Sequence, residues 1–153
     1  MTGWGQGDYA QAKPLYERAL AIYEKVHGKE HPAVATSLNN LAELLRGQGD
    51  YAQAKPLYER SLAIWEKVHG KEHPAVATSL NNLAGLLKGQ GDYAQAKPLY
   101  ERALAIFKKV LGPDHPNTRT VSENYTLFLE EMEKSTTTPP PSLLARLRRW
   151  VGF

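Results

Sequence analysis

Cysteine is absent from this 153-residue chain, which removes disulfide frameworks, thiol nucleophiles and thiolate metal ligands together. No apolar run approaches the roughly 20 residues that a helical membrane span requires. The opening MTGWGQGDY has neither the basic nor the apolar region of a secretory leader. A cytoplasmic protein without a membrane partner is therefore the expectation. Surplus charge is also scarce. The formal net charge is +3, and Arg146, Arg148 and Arg149, with no acid beside them in Ser142–Phe153, account for it. The rest of the chain is balanced, so nucleic acid is not an expected partner.

Chemistry is equally thin. No glycine-rich phosphate loop stands between a strand and a helix, and the carboxylates fall in repeated Glu-Lys and Glu-Arg settings suited to solvated helix faces. His27 with His31 and His69 with His73 have the spacing of a helical metal pair. Gly28 or Gly70 interrupts each pair, a proline follows it, and Leu111 replaces the first histidine in the third copy. No enzyme, no cofactor and no metal site are expected. The second histidine of each pair, together with His115, precedes a proline and reads as the residue before a helix.

What is present is repetition. With Gly-Asp-Tyr as register mark, Asp8, Asp50 and Asp92 follow one another at intervals of 42 residues, and residues 8–49 and 50–91 differ only at Ala19/Ser61, Tyr23/Trp65, Glu43/Gly85 and Arg46/Lys88. A period of this size marks a stacked array. Each unit reads as two helices. Helix A starts at Pro32, is stopped by Gly47 to Gly49, and places Val34, Leu38, Leu41, Ala42 and Leu45 on one face. Helix B is capped by Asp50 and ended by Gly70; its expected apolar face is Tyr51, Ala54, Tyr58, Ser61, Leu62, Trp65 and Val68. Ala42, Ala54 and Ser61 stand where helices must approach closely. Pro14, Pro56 and Pro98 lie inside helices B, which predicts an irregular first turn or a bend.

The string LNNLAELLRGQGDYAQAKPLYERSLAI, with Ala42, Gly49-Asp50-Tyr51, Ala54, Tyr58 and Ser61 in order, resembles a tetratricopeptide repeat. The 42-residue period with HP-x-VA-x-SLNNLA and PLYERALAI resembles the kinesin light chain type, from Gly5 to about Lys134. That resemblance implies an all-α fold, a right-handed α-α superhelix of helix-turn-helix repeats, whose helices A line a concave groove for extended peptide segments of partner proteins. A non-catalytic interaction scaffold is the function it implies.

Three segments follow from this reading: the array over 1–134, a Thr/Pro-rich linker over 135–142, and a basic amphipathic segment over 143–153 with Leu143, Leu144, Leu147, Trp150 and Val151 on one stripe. Residues 116–134 read as a capping helix A, with Val121, Tyr125, Phe128, Leu129 and Met132 inward and Glu123, Glu130, Glu131 and Glu133 solvated. No helix A precedes the first helix B, which suggests a start within a larger array and leaves Leu15, Ala19 and Ile22 without their neighbour. Self-assembly through that helix or through the C-terminal segment is the alternative function.

On a helical wheel Asn40 points roughly 145° from the apolar stripe, toward the open side. Asn82 and Asn124 occupy the same register, the second where its surroundings have changed. A carboxamide offers donor and acceptor to one peptide unit of a ligand, and these residues resemble the asparagine ladder of tetratricopeptide proteins. Asn39, Asn81, Thr36, Thr78, Glu43, Arg46 and Lys88 lie along the same side and are candidates for selecting ligand side chains.

Overall fold

The computed structural model describes residues 6–137, and these form six α-helices with no strand among them. They are α1 (Gln6–His27), α2 (Pro32–Gly47), α3 (Tyr51–His69), α4 (Pro74–Gly89), α5 (Tyr93–Leu111) and α6 (Pro116–Thr137). Helices A are α2, α4 and α6; helices B are α1, α3 and α5. Each packs on its chain neighbours, giving an all-α helical repeat superhelix. The C-terminal segment 143–153 lies outside the described residues. Helix α6 runs to Thr137, so the first three residues of the expected linker are helical, their hydroxyls bonded back to Met132, Glu133 and Lys134 carbonyls.

The helix ends are set by the residues that the sequence singles out. Asp50 accepts a hydrogen bond from the Gln53 N–H at 3.1 Å, and Asp92 from Gln95 at 3.2 Å. His31 is the N-cap of α2: its Nδ1 accepts from the Ala33 N–H at 3.0 Å, while Pro32 takes the first helical position, where its missing N–H costs nothing. His73 and His115 repeat the bond to Ala75 and Asn117. At the other end of α2, Gly49 adopts φ +80°, which lets Asp50 N–H reach the Leu45 carbonyl at 2.8 Å and turns the chain into α3. The interior prolines do not break helices B. Pro56 removes the donor for the Ala52 carbonyl, but both residues are exposed and water can serve that oxygen.

The core is a continuous layer between successive helices. Val34, Ala35, Leu38, Leu41, Ala42 and Leu45 of α2 are buried, as are Ala54, Tyr58 and Ser61 of α3. The small residues permit close approach: Ser61 Oγ donates to the Ala35 carbonyl at 2.8 Å across the helix pair. One part of the expected helix-B face is corrected. Val68 is 42% exposed, whereas Ile64 is 4% exposed and packs with Val34, Ala35 and Leu38. The last turn of α3 overhangs the His27–Pro32 loop instead of a helix, so Val68 borders an open hollow.

Successive repeats are also stitched at the surface in constant register. Arg60 pairs with Glu24 at 2.9 Å and Arg102 with Glu66 at 3.4 Å, Lys67 with Glu30, and Lys109 with Glu72 at 2.6 Å. Such exposed pairs add little stability each and mainly hold register. Helix α6 differs chemically from the other helices A: at the positions where α2 presents Ala35, Leu38 and Ala42 to α3, it carries Arg119, Ser122 and Thr126. On α1, Leu15 and Ile22 are 68% and 52% exposed, while Ala19 is half-buried.

Candidate functional site

The candidate site lies on the face shared by α2, α4 and α6, with tyrosines of helices B beneath it. Asn82 Nδ2 donates to Asn39 Oδ1 at 3.0 Å, and Asn124 Nδ2 donates to Asn81 Oδ1 at 3.5 Å. The second and third asparagines of the expected ladder are thus held by the preceding helix A. A carboxamide carries two N–H donors and a carbonyl acceptor, so Asn82 keeps one donor and one acceptor beyond this bond.

Two cavities divide the face. One, of about 170 Å³, is lined by Arg46, Asn81, Asn82, Gly85, Lys88, Tyr100, Asn124 and Leu127. The other, of about 280 Å³, is lined by Tyr9, Tyr16, Asn40, Glu43 and Leu44. Five of the residues expected from the sequence therefore meet in the first cavity, and Asn40 with Glu43 in the second. Thr36 and Thr78 join neither: their hydroxyls donate to the Pro32 and Pro74 carbonyls of their own helices at 3.2 and 3.1 Å. A larger cleft of about 540 Å³ lies between α3 and α5, floored by Leu62, Leu83, Leu87 and Leu99. It holds none of the helix-A asparagines; its polar lining is Lys55, Glu59, Glu66 and Gln95 of helices B.

Charge on this face is organised by contacts between helices. Tyr58 donates its hydroxyl to Glu43 Oε1 at 2.5 Å. Burial first, then the Glu43 hydrogen bond and charge, push its ionisation well above the usual tyrosine range, with Arg46 opposing. Arg46 lies 4.0 Å from Glu43 and reaches forward to α4, where its guanidinium rests on Gly85; a Cβ there would meet Nη2 at 3.1 Å. Tyr100, one repeat after Tyr58, lines the cavity with Gly85 where Tyr58 meets Glu43; burial raises its pKa, with Arg46 opposing and the Glu131 charge adding. Lys88 pairs with Glu131 at 3.5 Å, so one glutamate expected to be merely solvated has a partner.

Sequence reasoning missed Gly85, Leu127, Tyr9, Tyr16 and Tyr100 as lining residues. The tyrosines do carry a signal, since Tyr16, Tyr58 and Tyr100 recur at the repeat interval. The histidine pairs are arranged as stacks: His27 lies on His31 with ring centroids 4.2 Å apart and His69 on His73 at 4.1 Å, extended by Tyr23 and Trp65. Among the described residues no helix is long and apolar enough to cross a membrane.

Comparison with known proteins gives the same architecture. A tetratricopeptide repeat family profile matches residues 4–67, 34–109 and 79–135. Among solved structures, the chain is similar to a Podosopora anserina protein of the kinesin light chain type with nearly identical TPR-like repeats. The identity is 30% and the TM-score 0.73, over 80% of this chain and 58% of that one. A point-substituted form of that protein matches at the same identity and TM-score, with 57% of it covered. BtubC (BKLC) from P. vanneervenii matches at 25% identity and TM-score 0.67, over 88% of this chain and 61% of that one. The chain spans less than two thirds of the length of each of these structures. No curated protein matches it.

Proposed function

The chain belongs to the tetratricopeptide repeat family, in its kinesin light chain-like form, and from that premise we propose that it is a non-catalytic scaffold. In this reading α2, α4 and α6 bind extended peptide segments of partner proteins in the groove they line. Repeats of this family mediate protein–protein interaction in general; the groove and the peptide are our reading. The observation that carries it is the bonded asparagine register. Asn82 and Asn124 are oriented from the preceding helix and each has a donor and an acceptor to spare. An extended segment has one N–H and one C=O per residue to satisfy, and a row of such carboxamides can satisfy them without regard to sequence.

The experiment is a selection of bound segments from a peptide library, followed by calorimetry with Asn40→Ala, Asn82→Ala and Asn124→Ala combined. Each lost hydrogen-bond pair is expected to weaken binding by about 1 kcal/mol or more, with stability lowered by no more than about 2 kcal/mol for the two part-buried bonds to Asn39 and Asn81. Equal affinity for wild type and triple variant would sink the reading.

A further inference from the structure

The two cavities share one register and differ at one position. Residue 43 of α2, residue 85 of α4 and residue 127 of α6 are equivalent, and they are a glutamate, a glycine and a leucine, whereas the asparagine three residues earlier is constant. The Glu43 cavity is lined otherwise by the neutral Asn40, Tyr9, Tyr16 and Leu44, so its one charge is a carboxylate, exposed for about half its side chain and held in place by the Tyr58 hydroxyl. The Gly85 cavity is lined by Arg46 and Lys88 and by neutral groups only; Glu131 approaches Lys88 from beyond it. Leu127 at the third position is 55% exposed and apolar.

Gly85 is the informative residue. It lies inside α4, where glycine destabilises a helix relative to alanine and no turn calls for it. What its missing side chain provides is room: the Arg46 guanidinium of the preceding repeat lies within 3.1–3.5 Å of where a Cβ would stand. A glutamate here, as in the first repeat, would displace that cation and offset Lys88, leaving the cavity without net charge.

We propose that the residue at this register assigns the groove its side-chain preferences, so that a bound segment places a cationic side chain against Glu43 and an anionic side chain against Arg46 and Lys88 above Gly85. This rests on the groove reading given above. Helices α2 and α4 meet through the Asn82–Asn39 bond, so their axes stand on the order of 10 Å apart, and an extended chain advances about 3.3 Å per residue. The two charges of the ligand therefore stand about two to four residues apart. Exposed charge pairs contribute modestly to affinity and more to register and partner choice, so the assignment appears as discrimination between peptides.

The test uses fluorescence anisotropy with labelled, end-blocked Ser/Gly peptides of about nine residues. They carry Lys and Glu two, three or four residues apart in both orders, with Lys/Lys, Glu/Glu and Ala/Glu controls. At low salt the wild-type chain is expected to bind one Lys/Glu order about threefold or more tighter than the reverse order and the like-charged peptides. Glu43→Gln keeps an acceptor for Tyr58 and should reduce that peptide to the level of the Ala/Glu control. Gly85→Glu, which installs the first repeat's residue in the second, should remove the preference for Glu over Lys at the second charge. Both variants are checked by thermal melting. Peptides that bind, and lose binding in the triple asparagine variant, yet respond to neither charge order nor these substitutions, would overturn this assignment and leave the groove reading standing. Failure of every peptide to bind would reject both.

Discussion

Asn82 on α4 donates to Asn39 on α2 at 3.0 Å, and the pair belongs to two different repeats. The carboxamide that a ligand would meet is therefore aimed by its neighbour, and in the second copy the two consecutive asparagines divide the work: Asn81 accepts from Asn124 of the next repeat and Asn82 donates to Asn39 of the previous one. Asn39→Ala removes the acceptor and lets Asn82 rotate. Affinity for a selected peptide is expected to fall two- to threefold, less than for Asn82→Ala, with stability changed by no more than about 1 kcal/mol. Calorimetry on both variants checks this; wild-type affinity in Asn39→Ala would show that the bond does not orient Asn82.

Thr118 is buried on α6, and its hydroxyl has no hydrogen-bond partner. The equivalent residues in the other helices A are Val34 and Val76. Thr118→Val keeps the shape and removes a desolvated polar atom, so it should stabilise the array by about 1 kcal/mol. Urea unfolding measures it, and a lower midpoint than wild type would contradict the assignment.

Tyr58 supplies a pH prediction. Its folded-state ionisation is raised, by burial first and by Glu43 second, above the ordinary value of 10.0. A raised group contributes stability that is fully present below the unfolded value and is lost as pH rises toward the folded one. The chain should lose stability above about pH 10, with Tyr100 and Tyr125, also raised by burial, sharing in the loss. Tyr58→Phe should be less stable than wild type by about 0.5–1.5 kcal/mol at neutral pH, and the gap should close as the alkaline limb is entered. Melting curves against pH decide it: a gap that stays constant would mean that Tyr58 ionises equally in both states.

Much of the fold was legible because the repeat supplies its own controls. Pro32, Gly49 and Asp50 mark ends by local chemistry, and a 42-residue period leaves little freedom in how helices stack. Val68 misled because a wheel assigns every position of a stripe a neighbour, whereas the last turn of α3 faces a loop. The candidate site was legible as a row of asparagines, since their register is visible in one helix. Its charge pattern was not. Arg46 acts over Gly85, and Tyr58 on Glu43, through contacts between helices that no single-helix projection contains.

The loop histidines separate by role. His31, His73 and His115 accept the Ala33, Ala75 and Asn117 N–H groups at helix starts, whereas His27 and His69 stack on the first two of them. His31→Ala should cost about 1 kcal/mol, the usual loss for an N-cap, and His27→Ala less than about half of that. Paired thermal melts test the order, and equal losses would mean that stacking matters as much as capping.

End-to-end association depends on what α6 offers to a second molecule. In α2 the outgoing face carries Ala35, Leu38 and Ala42, all fully buried, and Ser61 reaches the Ala35 carbonyl because nothing larger than a methyl stands there. In α6 the equivalent Arg119, Ser122 and Thr126 put a long cation and two hydroxyls on that face. A helix B docking there would bury them without partners, at a cost of several kcal/mol. The exposed Leu15 and Ile22 of α1 therefore do not have a matching apolar surface on α6. Replacing all three residues by their α2 counterparts, as Arg119→Ala, Ser122→Leu and Thr126→Ala, restores an apolar face. It should add about 2 kcal/mol of favourable burial for the leucine alone on contact with a second α1. Sedimentation velocity over a concentration series is expected to show the triple variant associating head to tail and the wild type not doing so through α6. Association of the wild type that is abolished by charged substitutions at Ser122 would show that the polar face of α6 does not prevent docking.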